Sequence, residues 1–122
     1  MPVSKNSPLT PVIKRIDADF DGAVKRLCDL LRIPSVSTDP AFNKQTCAAG
    51  QWCADELKEI GFDSSLRTTK GHPMVVAHFT PRGASKNSPH VLYYGHYDVQ
   101  PPDPLHLWES PPFEPVIKKS PY

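Results

Sequence analysis

Apolar residues recur at helical spacing in two stretches of the chain. Phe20, Val24, Leu27 and Leu31 fall three or four positions apart, with Ala23, Cys28 and Leu30 beside them. One face of a helix collects such positions, so the pattern predicts a helix over 17–31. Pro34 marks its end, because the residue before a proline avoids the helical region. Ala49, Trp52, Cys53, Leu57 and Ile60 make a second stripe. It predicts a helix that runs to Ile60 and is stopped by Gly61 in the left-handed position. Asp39-Pro40 serves as its cap and first turn, or the helix starts near Asn43. Trp52 is expected in the core. The period then changes. Residues 64–68 are a polar edge strand, Lys70-Gly71-His72-Pro73 turns the chain, and 74–79 is apolar, which together read as a hairpin. A polar loop, PRGASKNSP, follows. Val91-Leu92-Tyr93-Tyr94 is a continuous apolar run and reads as a buried central strand, with Tyr93, Tyr94 and Tyr97 as packing aromatics. Two helices, a hairpin and a central strand fit an α/β layer.

Composition changes this picture at the ends. Residues 1–15 are rich in Pro, Ser and Lys and are expected to be a flexible N-terminal tail, which leaves 16–122 as the structured portion. The 15 prolines concentrate in the first 11 residues and from Pro101 onward, marking a tail and an ordered loop. Fourteen basic residues against 13 acidic ones give a net charge of +1, which carries no electrostatic footprint for nucleic acid or an anionic membrane. No apolar run approaches the roughly 20 residues that span a bilayer. MPVSKNSPLTPVIKR lacks the apolar core of a secretory signal, so a cytoplasmic location is expected. Cys28, Cys47 and Cys53 are odd in number and form no CxxC, so they predict buried or partly buried thiols on helices instead of disulfides or a zinc knuckle.

Candidate chemistry lies where the apolar run meets Gly95, His96, Tyr97 and Asp98. Ligands bind outside the carboxyl ends of strands in open α/β sheets. Side chains alternate along a strand, so His96 and Asp98 would leave the same face. An imidazole beside a carboxylate suits a metal ligand and its orienting partner. With Val99-Gln100-Pro101, Trp108 and PPFEP at 111–115, the segment GHYDVQP resembles the dinuclear zinc exopeptidase family. Carnosinase, cytosolic dipeptidase, aminoacylase and acetylornithine deacetylase are members, and the wording is nearest the dipeptidase branch. The resemblance extends over about 18–117; GHYDVQP is specific, the flanking helices are not.

The resemblance implies an α/β fold, namely the N-terminal portion of a three-layer catalytic domain. It makes His96 the first zinc ligand and Asp98 the catalytic carboxylate that orients it. Gly95 then lets the backbone bend beside the metal, and Trp108 and Phe113 pin the loop that follows. Two zinc ions are implied in the full-length family and at most a partial site here. A bridging aspartate, a paired-glutamate segment, a further acidic ligand and a distant histidine have no matching positions. Asp103, Glu109 and Glu114 belong to the loop pattern, and His72, His78, His90 and His106 read as structural. Beyond Ile117 the family continues into a Gly-rich stretch with an aspartate ligand, whereas this chain runs Lys118-Lys119-Ser120-Pro121-Tyr122. A truncated or frame-shifted product, or a deliberate fragment, is therefore expected. The implied substrate of the intact enzyme is a small peptide or N-acyl amino acid; family members are often homodimers, through a domain not expected here. The expected function is a fragment of a zinc-dependent dipeptidase or related amide hydrolase that contributes the first metal-ligand motif, GHYDVQP, and is inactive as the isolated chain. The alternative is a non-enzymatic remnant or binding module that keeps part of the fold.

Overall fold

Leu9, Val12, Ile13, Ile16 and Phe20 repeat at helical spacing despite the prolines around them. In the computed structural model, which describes residues 7–119, helix α1 spans Thr10–Ala18. Pro11 lies in its first turn, where a missing N–H costs nothing and the fixed φ suits the helix. Much of the expected tail is thus ordered; residues 1–6 lie outside the described residues. The helix predicted over 17–31 divides at Asp19, whose φ of −106° and ψ of 12° leave the helical region. Helix α2 then spans Phe20–Leu31. The Arg26 guanidinium grips the Asp19 carboxylate at 2.7 Å across this joint. Arg26 also faces Glu56 of the next helix at 3.6 Å. Both pairs are exposed and screened by solvent, so they orient the joint more than they stabilise it. Phe20, Leu27 and Leu31 are exposed, so the stripe of α2 is only partly covered.

The second helix follows its prediction closely. Asp39 accepts a hydrogen bond from the Ala41 N–H at 2.9 Å and caps a 3₁₀ turn, Pro40–Phe42. Helix α3, Asn43–Glu59, continues from it. Gly61 ends the turn at φ +96°, a conformation that glycine takes without a Cβ clash. The buried face differs from the predicted stripe. Thr46, Ala49, Gly50 and Ala54 face inward, while Trp52 and Cys53 are half-buried and Ile60 is exposed. Small residues bring the helix backbone close to the hairpin. That hairpin is β1, Asp63–Arg67, antiparallel to β2, Met74–His78, with Ser65 opposite Val76. The deepest residues, Ser35, Val36, Thr46, Ala49, Ala54 and Ser64, form a small core at the junction of α3, the hairpin and the loop before α3.

The expected central strand does not form. Val91–Tyr94 has no ladder partner among the described residues, and its four side chains are 84–91% exposed. A strand is stabilised by a neighbour that takes up its backbone groups and covers its faces, and none lies alongside. Tyr93 and Tyr94 therefore do not pack; Tyr97 does. The chain is next tied to the core at Val99, five residues after Tyr94, where it pairs with Val36 in an isolated parallel bridge. The mixed α/β character holds, with the sheet reduced to the hairpin.

Candidate metal-ligand site

Ser35, Val36 and Ser37 hold the segment that carries the candidate residues. Their order, hydroxyl–apolar–hydroxyl, has the period of an extended chain. Val36 turns into the core at 1% exposure. The Ser35 hydroxyl donates to the Tyr97 carbonyl at 2.9 Å, and the Val99 N–H donates to the Ser35 carbonyl at 3.0 Å. The Tyr97 hydroxyl donates to the Pro73 carbonyl in the hairpin turn. The Tyr97 ring lies over Gly50, where an added Cβ would meet its Cζ at 3.0 Å. Tyr97 is thus clamped between α3 and the turn, which sets the residues on either side of it.

His96 and Asp98 are brought together. His96 Nδ1 lies 3.1 Å from Asp98 Oδ1 and 3.0 Å from the Asp98 carbonyl oxygen. Both neighbours are acceptors, so Nδ1 carries the proton and donates. The lone pair of a neutral ring then sits on Nε2, which has no hydrogen-bond partner among the described residues, and the side chain is 76% exposed. Asp98 Oδ2 accepts from the Ser37 hydroxyl at 2.6 Å. That hydrogen bond is the largest influence holding the Asp98 carboxyl below its ordinary range; partial burial opposes it, and His96 and the backbone add to it. His96 and Asp98 share a face as expected, although the strand that was to place them is absent. Gly95 is not crowded: a Cβ there would meet only Tyr93, at 3.5 Å. The bend attributed to glycine beside a metal is therefore not required by this geometry.

Two contributors escaped the sequence reading. Ser37 stands between the two predicted helices, in a stretch that carries no predicted element; its signal is the alternation Ser35-Val36-Ser37. His72 was assigned a structural role in the turn, yet its Nε2 approaches the Ser37 carbonyl at 2.7 Å, as a donor. Together they join the hairpin turn to the carboxylate. An open depression beside them is lined by Ser37, Thr38, Asn43, Lys70 and His72, and it does not include His96. Farther along, Trp108 Nε1 donates to the Pro102 carbonyl at 2.8 Å and closes the loop after the site. His78, His90 and His106 lie outside the cluster, and Asp103, Glu109 and Glu114 do not converge on it.

Can these residues hold a metal? A neutral imidazole with a free Nε2 and a carboxylate behind Nδ1 has the donor chemistry of one metal ligand. No group of three or more His, Cys, Asp or Glu side chains among the described residues could complete a coordination shell. The set fits one ligand and its support, not a whole centre.

No protein-family model matches the chain. It is 27% identical over 125 aligned residues to the Cys-Gly metallodipeptidase DUG1 of Saccharomyces cerevisiae, covering 92% of this chain and 25% of the relative. The Candida albicans protein of that name is 31% identical, over 87% of this chain and 24% of its own. Succinyl-diaminopimelate desuccinylase 2 of Shewanella loihica is 35% identical over 72% of this chain and 21% of its own. The solved structure of the dipeptidase Dug1p from Saccharomyces cerevisiae superposes with a TM-score of 0.79 and 28% identity, over 91% of this chain and 25% of that one. The chain resembles this metallopeptidase family in sequence and in structure. It spans about a quarter of the length of the relatives it matches. The α/β arrangement described above is thus that of part of a peptidase fold.

Proposed function

We propose that this segment supplies one ligand of a zinc centre, His96 through Nε2, with Asp98 as the carboxylate that orients the ring. The observation that carries the reading is the double acceptor at His96 Nδ1, which fixes the proton there and leaves Nε2 free and exposed. A carboxylate behind a ligating histidine also raises its basicity. The names of the relatives support a metal-dependent hydrolase as the parent activity, with an amide bond as the shared chemistry of a dipeptide and an N-succinyl amino acid. Zinc in such a centre polarises a carbonyl and activates water. The residues of this chain do narrower work: Asp98 holds a proton at His96 Nδ1, and Ser35 and Tyr97 hold the backbone that presents both. A cytoplasmic setting belongs to the same proposal. Among the described residues, no helix is long and apolar enough to cross a membrane.

A second reading, a remnant or binding module with no chemistry of its own, draws on the ligand count among the described residues. A catalytic zinc ordinarily needs three protein ligands and an open position. The 122-residue chain alone is therefore expected to bind zinc weakly and to hydrolyse no dipeptide. Zinc retained after dialysis and dipeptide hydrolysis, both measured on wild type and His96→Ala, test the assignment. Weak zinc binding that His96→Ala removes, without turnover, is the expected result. Zinc binding that His96→Ala leaves untouched would defeat the ligand assignment, and zinc-dependent turnover lost in His96→Ala would defeat the inactivity.

A further inference from the structure

We propose that Ser37 is a positioning residue for this site: its hydroxyl locks the Asp98 carboxylate in the rotamer that keeps His96 in the Nδ1–H tautomer, and His72 braces Ser37 from the hairpin turn. The inference rests on the reading of His96 and Asp98 given above and assigns the group that acts behind them.

Asp98 has two carboxylate oxygens with different duties. Oδ1 faces His96 Nδ1 at 3.1 Å, and Oδ2 takes the Ser37 hydroxyl at 2.6 Å. An aspartate side chain turns about χ1 and χ2, and χ2 is broad. The contact to His96 alone fixes one oxygen of an exposed pair and leaves the carboxylate free to swing. Ser37 fixes the other oxygen, and two contacts on two oxygens define the plane. The hydrogen bond is charge-assisted and short, which places it among the stronger ones.

Ser37 is itself held. Its neighbour Val36 is buried at 1% exposure and pairs with Val99, one residue after Asp98. Its carbonyl accepts from His72 Nε2 at 2.7 Å. The backbone at residue 37 is thus fixed from the core side by Val36 and from the hairpin side by His72. A bare structural role would need only the Val36 bridge and the Ser35 bonds, which already tie the two segments together. The Ser37 hydroxyl adds nothing to that tie and is spent on the carboxylate.

The test reads the histidine directly. Nitrogen-15 NMR of the metal-free chain gives the His96 tautomer, and competition with a chromophoric chelator gives the zinc affinity. Ser37→Ala removes the donor, Ser37→Cys keeps the shape with a weak donor, Ser37→Thr restores the hydroxyl, and Thr38→Ala is the control. Ser37→Ala and Ser37→Cys are expected to shift His96 part of the way toward the Nε2–H form, because the Asp98 carbonyl still accepts from Nδ1, and to weaken zinc about 10-fold, the low end of the usual loss for an orienting partner. Ser37→Thr and Thr38→Ala should resemble wild type. His72→Ala should move the tautomer in the same direction by less. Should Ser37→Ala fail to fold, Ser37→Cys decides. An unchanged tautomer in the folded Ser37 variants, or Ser37→Thr behaving like Ser37→Ala, overturns the assignment. If the wild-type chain binds no zinc, the ligand reading of His96 falls, while the tautomer still decides the role of Ser37.

Discussion

Once one imidazole nitrogen donates its proton, the other has a lone pair to offer, and His96 is held in that state by Asp98. The two were legible in the sequence because they are two positions apart, so local geometry alone could join them. Ser37 was not, because it reaches Asp98 across 61 positions and only the fold closes that distance. The Asp98 carboxyl titrates below its ordinary value of 3.8, first because of the Ser37 hydroxyl and then, against partial burial, because of His96. The folded-state value is depressed, so the contribution to stability is fully present above the unfolded value and is lost as pH falls through the folded one. A pH titration of the Asp98 carboxyl carbon by NMR should give a midpoint below 3.8; a midpoint at or above it contradicts the contact. In wild type, the cysteines should separate by reactivity. Burial, and then the nearby Glu56 charge, push the Cys53 thiol up, while Cys47 is exposed. Thiolate is the reactive form. Alkylation followed by mass spectrometry should modify Cys47 well before Cys53, and simultaneous labelling would show that α3 does not cover Cys53.

Elements that carry their own local code were readable. The cap at Asp39, the stop at Gly61 and the turn between β1 and β2 each depend on residues within a few positions, and each formed as expected. Helix α1 was missed because proline density masked a stripe at helical spacing, although a proline in the first turn is compatible with a helix. The central strand was over-read: an apolar run reports a preference for burial, and burial needs a partner that the run itself does not specify. Zipping α3 to the hairpin depends on Gly50, where a Cβ would lie 2.9 Å from Leu66 Cδ1 and 3.0 Å from Tyr97 Cζ. Two effects oppose each other in Gly50→Ala. Helix propensity gains about 0.8–1.0 kcal/mol, and overpacking costs about 1–3 kcal/mol. Leu66 can yield at the end of a flexible chain, but the Tyr97 ring is tied to Pro73 through its hydroxyl. The overpacking term should win, with a net loss of about 0–2 kcal/mol for Gly50→Ala and a larger loss for Gly50→Val. Urea denaturation measures both; a stabilised Gly50→Val would refute the close approach of Tyr97.

On the scale of the whole molecule, the chain is a small core with extensive apolar surface around it. Leu9 just before α1, Val12, Ile16 and Phe20 on the first two helices, and the run Val91–Tyr94 are all exposed. Exposed apolar surface of this extent favours association, and the Val91–Tyr94 backbone, with no ladder partner among the described residues, is open to pairing with another chain. Sedimentation velocity should therefore show concentration-dependent self-association, reduced in Leu92→Lys/Tyr94→Lys. A monomeric, highly thermostable wild type would instead mark a self-sufficient module. The same picture sets what can be asked of the site. Its stable part is the clamp of Ser35, Tyr97 and Val99, and what that clamp presents is a histidine ring with one nitrogen occupied and one free. The most direct test is a zinc titration of the nitrogen-15-labelled chain, following both His96 ring nitrogens and those of the other four histidines. Zinc should shift His96 Nε2 first and leave the proton on Nδ1, donated to Asp98. Coordination through His96 Nδ1, or a response at other histidines with His96 unmoved, would contradict the account.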